Sequence, residues 1–149
     1  MSNDSITIEE GVAFGRGGGR DLKCDIYSPA TRNGTGVLVL YGGGWRMGER
    51  SRVRDACLSL ARRGFVAVAG DVKANIRWIR ANAARLGIDP ARIAAEGHSA
   101  GAHLTLLAAG TPGLPEFEGD GGNAGVSSEL AAAVGIYPPT VFQATEQKI

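Results

Sequence analysis

Apolar and polar residues alternate near the start of the chain, a pattern that predicts half-buried strands. The first such segment runs from Ile6 to Phe14 and the second from Asp21 to Tyr27. Between them, residues 15–20 contain four glycines and two arginines, which is typical of a turn. We therefore expect the chain to begin with an antiparallel hairpin.

Short apolar runs and helical periodicity then follow one another along the chain. The apolar runs predict buried strands at Val37–Leu40, Phe65–Ala69, Arg92–Ala95 and Leu130–Tyr137. The periodic segments predict helices at Arg50–Arg63, Val72–Leu86 and Ala102–Ala109. For the second helix we expect Asp71 as the N-cap and Gly87 as the C-cap. The glycine-rich, acidic segment 110–128 is predicted to be a long loop.

Strands that alternate with helices after an opening hairpin indicate an α/β fold. We expect a three-layer sandwich, in which a mostly parallel sheet with an N-terminal antiparallel hairpin is covered by helices on both faces. A chain of 149 residues fits one domain, and we assign residues 1–149 to it.

The composition argues against several classes of function. The net charge of +1 gives no reason to expect nucleic acid or an anionic membrane as a partner. No apolar run approaches the length of a membrane span, and the polar start lacks the features of a signal peptide, so we expect a cytoplasmic protein. The cysteines Cys24 and Cys57 lack metal-ligand spacing, and we predict neither a metal nor a cofactor.

The most informative motif is the G-x-S-x-G segment Gly97–Gly101, which lies between a predicted strand and a predicted helix. This is the context of a nucleophile elbow, in which Ser99 would occupy a strained turn flanked by small residues. A second glycine-rich segment, Tyr41–Trp45, directly follows the strand Val37–Leu40. Backbone N–H groups of such a segment can converge on an oxyanion, although a plain glycine turn has the same composition.

These motifs belong to an ordered set that covers nearly the whole chain. Its other members are Asp25–Pro29, Arg46–Gly48, Leu60–Phe65, Asp71–Ala74, Trp78–Arg80, Gly87–Ile93, Gly119–Asn123 and Val126–Ser128. In this set the chain resembles the hormone-sensitive-lipase-like branch of the α/β-hydrolases, whose esterases carry an H-G-G-G-W oxyanion loop. It also resembles related small carboxylesterases and feruloyl-esterase-like enzymes.

The resemblance implies a serine esterase, a carboxylesterase or lipase-like enzyme that acts through an acyl-enzyme. Ser99 would be the nucleophile, and the N–H groups of Gly43, Gly44 and Ala100 would form the oxyanion hole. The chain departs from the family by carrying Tyr41 in place of the loop histidine and by joining the strand at residues 65–69 almost directly to the next helix. Because that junction leaves the site open, we expect small, short-chain esters as substrates.

The usual triad acid and histidine are expected on loops beyond later strands, and no histidine follows His103. We therefore expect a truncated α/β-hydrolase fold with weak activity. His103 lies four residues after Ser99, a spacing that would place both side chains on one face of a regular helix. Two interpretations of His103 stay open, a general base and a structural helix residue.

The predicted strand Leu130–Tyr137 would lie at the edge of the sheet, and an exposed apolar edge recruits another strand. We expect a homodimer or larger oligomer that pairs at this edge. The alternative function is a catalytically impaired hydrolase that serves as an oligomeric, non-enzymatic module.

Overall fold

The computed structural model describes residues 5–141, which form a six-stranded sheet with helices on both faces. The strands are β1 (Ile6–Gly17), β2 (Arg20–Pro29), β3 (Gly36–Leu40), β4 (Val66–Ala69), β5 (Ile93–His98) and β6 (Ala132–Ile136). The helices are α1 (Arg54–Ala61), α2 (Lys73–Ala81), α3 (Ala83–Leu86), α4 (Ala100–Gly110) and α5 (Pro115–Glu118), and a 3₁₀ turn at Arg50–Val53 precedes α1.

The strand order is β1-β2-β4-β3-β5-β6. β1 and β2 form the predicted antiparallel hairpin, and β2 also pairs antiparallel with β4. The remaining neighbours are parallel, so β3 and β5 end at the same edge of the sheet. Leu40 of β3 pairs with Gly97 of β5, and His98 pairs with Ile136 of β6. This register brings the two glycine-rich motifs together.

The core has two layers, one on each face of the sheet, because successive side chains of a strand point to opposite faces. Leu38 and Leu40 pack on one face of the sheet against α2, α3 and α4. Val37 and Val39 pack on the other face against α1. The three-layer sandwich and the mostly parallel sheet are therefore confirmed.

The predicted helix Val72–Leu86 is interrupted. The prediction of one continuous helix was wrong. Asn82, between α2 and α3, leaves helical geometry with φ −104° and ψ 15°. The Asn82 side-chain amide donates to the carbonyl of Trp78 at 2.9 Å, the same carbonyl that accepts from the Asn82 backbone N–H. Gly87 ends α3 in the left-handed region (φ 65°), as its predicted C-cap role requires.

Three other local predictions need correction. Val72, and not Asp71, is the N-cap of α2, and the Asp71 carboxylate accepts from the N–H of Val72. The hairpin turn is tighter than expected, because β1 extends to Gly17 and β2 begins at Arg20. The segment 110–128 is not wholly a loop, since it contains α5 with Pro115 at its start.

The segment 111–128 is fixed to α2 by a cluster of charges around Glu118. The Glu118 carboxylate lies 2.8 Å from both Lys73 Nζ and Arg77 Nη1, and it accepts from Ser128 Oγ at 2.6 Å. The side chains of Lys73 and Arg77 are almost fully buried, with 8% and 4% of their surface exposed. Removal of Glu118 would therefore leave two buried cations without their counter-ion.

Desolvation alone would raise the pKa of Glu118, but the hydrogen bonds from Lys73 and Ser128 and the charge of Lys73 outweigh it. The net effect lowers the pKa of Glu118 from 4.5 to about 2. Because the folded pKa lies below the unfolded value, ionised Glu118 stabilises the fold above about pH 4.5. This contribution is lost as the pH falls towards 2.

We predict that Glu118→Gln lowers the free energy of unfolding at pH 7 by about 2 to 4 kcal/mol, since it leaves buried cations uncompensated. Urea unfolding at pH 7 and pH 3 measures this, and the difference from wild type should shrink at pH 3. Glu116→Gln, at an exposed position of the same helix, is the control and should stay within about 0.5 kcal/mol of wild type. A loss shared equally by both variants would contradict the prediction.

Candidate active site

Ser99 lies in the strained backbone expected of a nucleophile elbow. Its φ of 53° and ψ of −121° fall in a region that a residue with a side chain rarely adopts. Two backbone hydrogen bonds hold it there. The Ser99 N–H donates to the carbonyl of Ile136 at 3.0 Å, and the His103 N–H donates to the carbonyl of Ser99 at 3.1 Å. The turn from β5 into α4 therefore presents Ser99 at the carboxyl edge of the sheet.

The glycines around Ser99 are required by close packing. A Cβ on Gly101 would lie 2.5 Å from the carbonyl oxygen of Leu40 and 2.6 Å from that of Tyr41. A Cβ on Gly42 would lie 3.2 Å from Cβ of Ser99. The first turn of α4 therefore packs directly on the end of β3, and the loop that follows β3 lies beside Ser99.

The loop after β3 exposes backbone donors. Its Gly43 carbonyl accepts from the N–H groups of Arg46 and Met47, which closes a turn. Within residues 5–141, the N–H groups of Gly43 and Gly44 donate to no backbone carbonyl. Ala100 is the first residue of α4, where a helix leaves its N–H groups without intrahelical partners. All three predicted oxyanion donors thus belong to the elbow or to the loop beside it.

Two clefts flank this loop, and both are lined by Tyr41 and Gly42. One, of about 270 Å³, is also lined by Gly43, Ala100 and Leu104. The other, of about 280 Å³, is also lined by Ser99 and His98. Open space therefore lies on both sides of the loop.

The side chain of Tyr41 replaces the loop histidine of the family and takes a packing role. The ring lies over the backbone of Gly48, where an added Cβ would come within 2.5 Å of ring carbon Cδ2. It is half-buried beside the core layer that contains α1. The loop therefore has side-chain support on the side facing α1.

The structure brings His103 to Trp45 of the loop after β3. Trp45 Nε1 donates to His103 Nδ1 at 3.2 Å, and the two rings meet edge to face at a centroid distance of 5.6 Å. The contact joins residues 58 positions apart, and the sequence carries no local signal for it.

His98, the variable residue of the elbow, contacts a different group. Its ring lies 5.9 Å from that of Tyr137, and its Nε2 lies 3.9 Å from Glu96 Oε1.

Both cysteines are free, and burial raises the pKa of each thiol to about 12, so both are protonated at neutral pH. Within residues 5–141, no group of three or more His, Cys, Asp or Glu side chains is placed to hold a metal ion.

Comparison with known proteins identifies the family. The model of the BD-FAE family matches residues 58–149. The chain belongs to the BD-FAE family. Two curated relatives from Mycobacterium tuberculosis are similar to it: esterase LipC, 34% identical over 68% of this chain, and carboxylesterase NlhH, 31% identical over 93%. The chain spans 29% of LipC and 42% of NlhH.

Solved structures show the same fold. The apo form of Thermogutta terrifontis esterase 2 matches with a TM-score of 0.75 and 30% identity, covering 100% of this chain and 60% of that one. The propionate-bound form matches with a TM-score of 0.73 and 32% identity over 92% of this chain and 55% of that one. The predicted resemblance to esterases of the α/β-hydrolase fold is therefore confirmed.

Among the described residues, no helix has the length and apolarity needed to cross a membrane. The cytoplasmic location stays a prediction.

Gly101→Ala should lower the free energy of unfolding by about 1 to 3 kcal/mol, because its methyl group would collide with backbone carbonyls. Gly110→Ala, at the other end of α4, is the matched control because an added Cβ there meets nothing within 4 Å. That variant should be neutral or stabilised by up to about 1 kcal/mol, since alanine favours helix. Chemical denaturation measures both, and equal effects would refute the packing argument.

Proposed function

We propose that this chain is a serine esterase that hydrolyses small, short-chain carboxylic esters through an acyl-enzyme on Ser99. The observation that carries the proposal is the strained Ser99 beside a loop of exposed backbone donors. Ser99 Oγ would attack the ester carbonyl, and the N–H groups of Gly43, Gly44 and Ala100 would bind the resulting oxyanion. The positive end of the α4 dipole adds to this stabilisation.

The size of the clefts and the nature of the neighbours support small substrates. The cleft that Ser99 lines measures only about 280 Å³, which suits an ester with a short acyl group. Thermogutta terrifontis esterase 2 is described in propionate-bound and butyrate-bound forms and phosphorylated by paraoxon. By analogy with these bound forms, we propose that this chain accepts short acyl groups and reacts with organophosphorus reagents.

We further propose that turnover is slow. The Nδ1 atom of His103 accepts from Trp45, so solvent water is the acceptor that we propose for the serine proton. An oxyanion hole with substrate binding alone retains roughly 10³- to 10⁴-fold acceleration over water in proteases stripped of their triad. Activated esters, whose leaving groups need no protonation, are therefore the substrates on which activity should be measured.

We predict that a fluorophosphonate probe labels the wild-type protein and that Ser99→Ala abolishes both labelling and the hydrolysis of p-nitrophenyl acetate above background. Ser59→Ala, on the exposed face of α1, is the matched control and should retain both. Mass spectrometry of the labelled peptide identifies the modified residue. Labelling that persists in Ser99→Ala would overturn the proposed function.

A second proposal concerns assembly and follows from the edge strand β6. Among the described residues, no strand pairs with its outer side, and Val134 is 52% exposed. An exposed apolar edge is a template for another strand. We propose that two copies pair along β6, whether or not the protein is catalytically competent.

Val134→Lys should shift the protein from dimer to monomer, because a charged side chain on an edge strand opposes pairing. Light scattering at micromolar concentration gives the mass of each variant. Lys23→Ala, on the exposed face of β2, is a control that should leave the mass unchanged. A wild-type mass equal to that of one chain would exclude the proposed dimer.

A further inference from the structure

The oxyanion loop contains a bulky residue in an unfavourable backbone conformation. Trp45 has a φ of 61°, in the left-handed region that residues with large side chains rarely adopt. Its side chain is 51% exposed, so burial does little to compensate. Such a conformation persists only where specific contacts hold it, and residues in this state cluster at active sites.

One specific contact of Trp45 is with His103. The indole N–H donates to His103 Nδ1 at 3.2 Å, and the edge-to-face ring contact restricts the orientation of both rings. His103 lies in the first turn of α4, where its own N–H donates to the carbonyl of Ser99. The loop that carries Gly43 and Gly44 is therefore tied to the same turn of helix that presents Ser99 and Ala100.

The direction of this hydrogen bond determines what His103 can do. Because Nδ1 accepts the indole proton, the neutral imidazole carries its own proton on Nε2. Neither nitrogen then has a lone pair available to take the proton of Ser99. The contact therefore favours a structural role over the general-base role that the sequence left open.

We infer that Trp45 and His103 form a latch, defined as these two side chains and their hydrogen bond, that fixes the oxyanion loop relative to Ser99. Both are positioning residues, and the inference rests on the proposed esterase function. The latch would set the distance between the donors of the loop and the oxyanion formed at Ser99. Its loss should lower kcat with little effect on KM, because the donors act mainly on the transition state.

A double-mutant cycle tests the latch. Trp45→Phe removes the donor and His103→Phe removes the acceptor, while both keep an aromatic ring. Each single variant should lower kcat for p-nitrophenyl acetate roughly fivefold, the equivalent of one net hydrogen bond. The double variant should lose no more than either single one, because both remove the same interaction. Additive losses would overturn the latch.

His103→Asn distinguishes the latch from general-base catalysis. Its side-chain oxygen can accept near the position of Nδ1 but cannot act as an imidazole base. The latch predicts that His103→Asn recovers most of the kcat lost in His103→Phe. If both variants lose the same activity while their melting temperatures stay close to that of wild type, His103 acts as a base and the latch is overturned.

A fluorescence measurement tests the contact without relying on activity. The chain has two tryptophans, so in the Trp78→Phe background the emission comes from Trp45 alone. His103→Phe in that background should change the intensity and the emission maximum of Trp45, because the polar contact to the indole N–H is lost. Unchanged emission, with Ser99-dependent hydrolysis intact, would overturn the latch alone. Absence of Ser99-dependent hydrolysis in the wild type would overturn the proposed function, and with it the catalytic role of the latch.

Discussion

The site depends on the direct contact between the first turn of α4 and the end of β3. Gly101 allows this contact, because any side chain there would meet the carbonyl oxygens of Leu40 and Tyr41. The same approach places Gly42 against the backbone of His98 and Cβ of Ser99. Ser99 and the loop after β3 are therefore brought together by backbone packing at the carboxyl edge of the sheet.

This packing also explains how the strain at Ser99 is maintained. A residue in such a conformation costs about 1 to 3 kcal/mol, and the two backbone hydrogen bonds to Ile136 and from His103 offset this with about 1 kcal/mol each. The strand β3, on which the turn packs, is buried along its whole length. The sheet thus acts as a rigid base on which the high-energy turn is held.

Local patterns predicted most of the fold because they report on local physics. The alternation in β2, the apolar run of β3 and the glycines of the elbow each describe the immediate surroundings of the chain. The break at Asn82 was missed because apolar periodicity continues through it and does not report the backbone dihedral angles of one residue. Two contacts depend on the packed tertiary structure, Trp45 with His103 and Lys73 with Glu118. Neither could be predicted from a local sequence pattern.

The arrangement has a consequence for how the rate should respond to perturbation. In a triad enzyme, a general base makes the serine a better nucleophile, and the oxyanion hole further lowers the barrier by stabilising the charge that forms. Here, Gly42 lies against Ser99, and His103 accepts a hydrogen bond from Trp45 of the loop that carries the proposed donors of Gly43 and Gly44. If stabilisation of the oxyanion supplies most of the acceleration, then small displacements of the loop should affect the rate as strongly as changes in proton transfer. The physical role of the strained tryptophan is then to keep the donors where charge develops, because preorganised donors need no rearrangement when the bond forms.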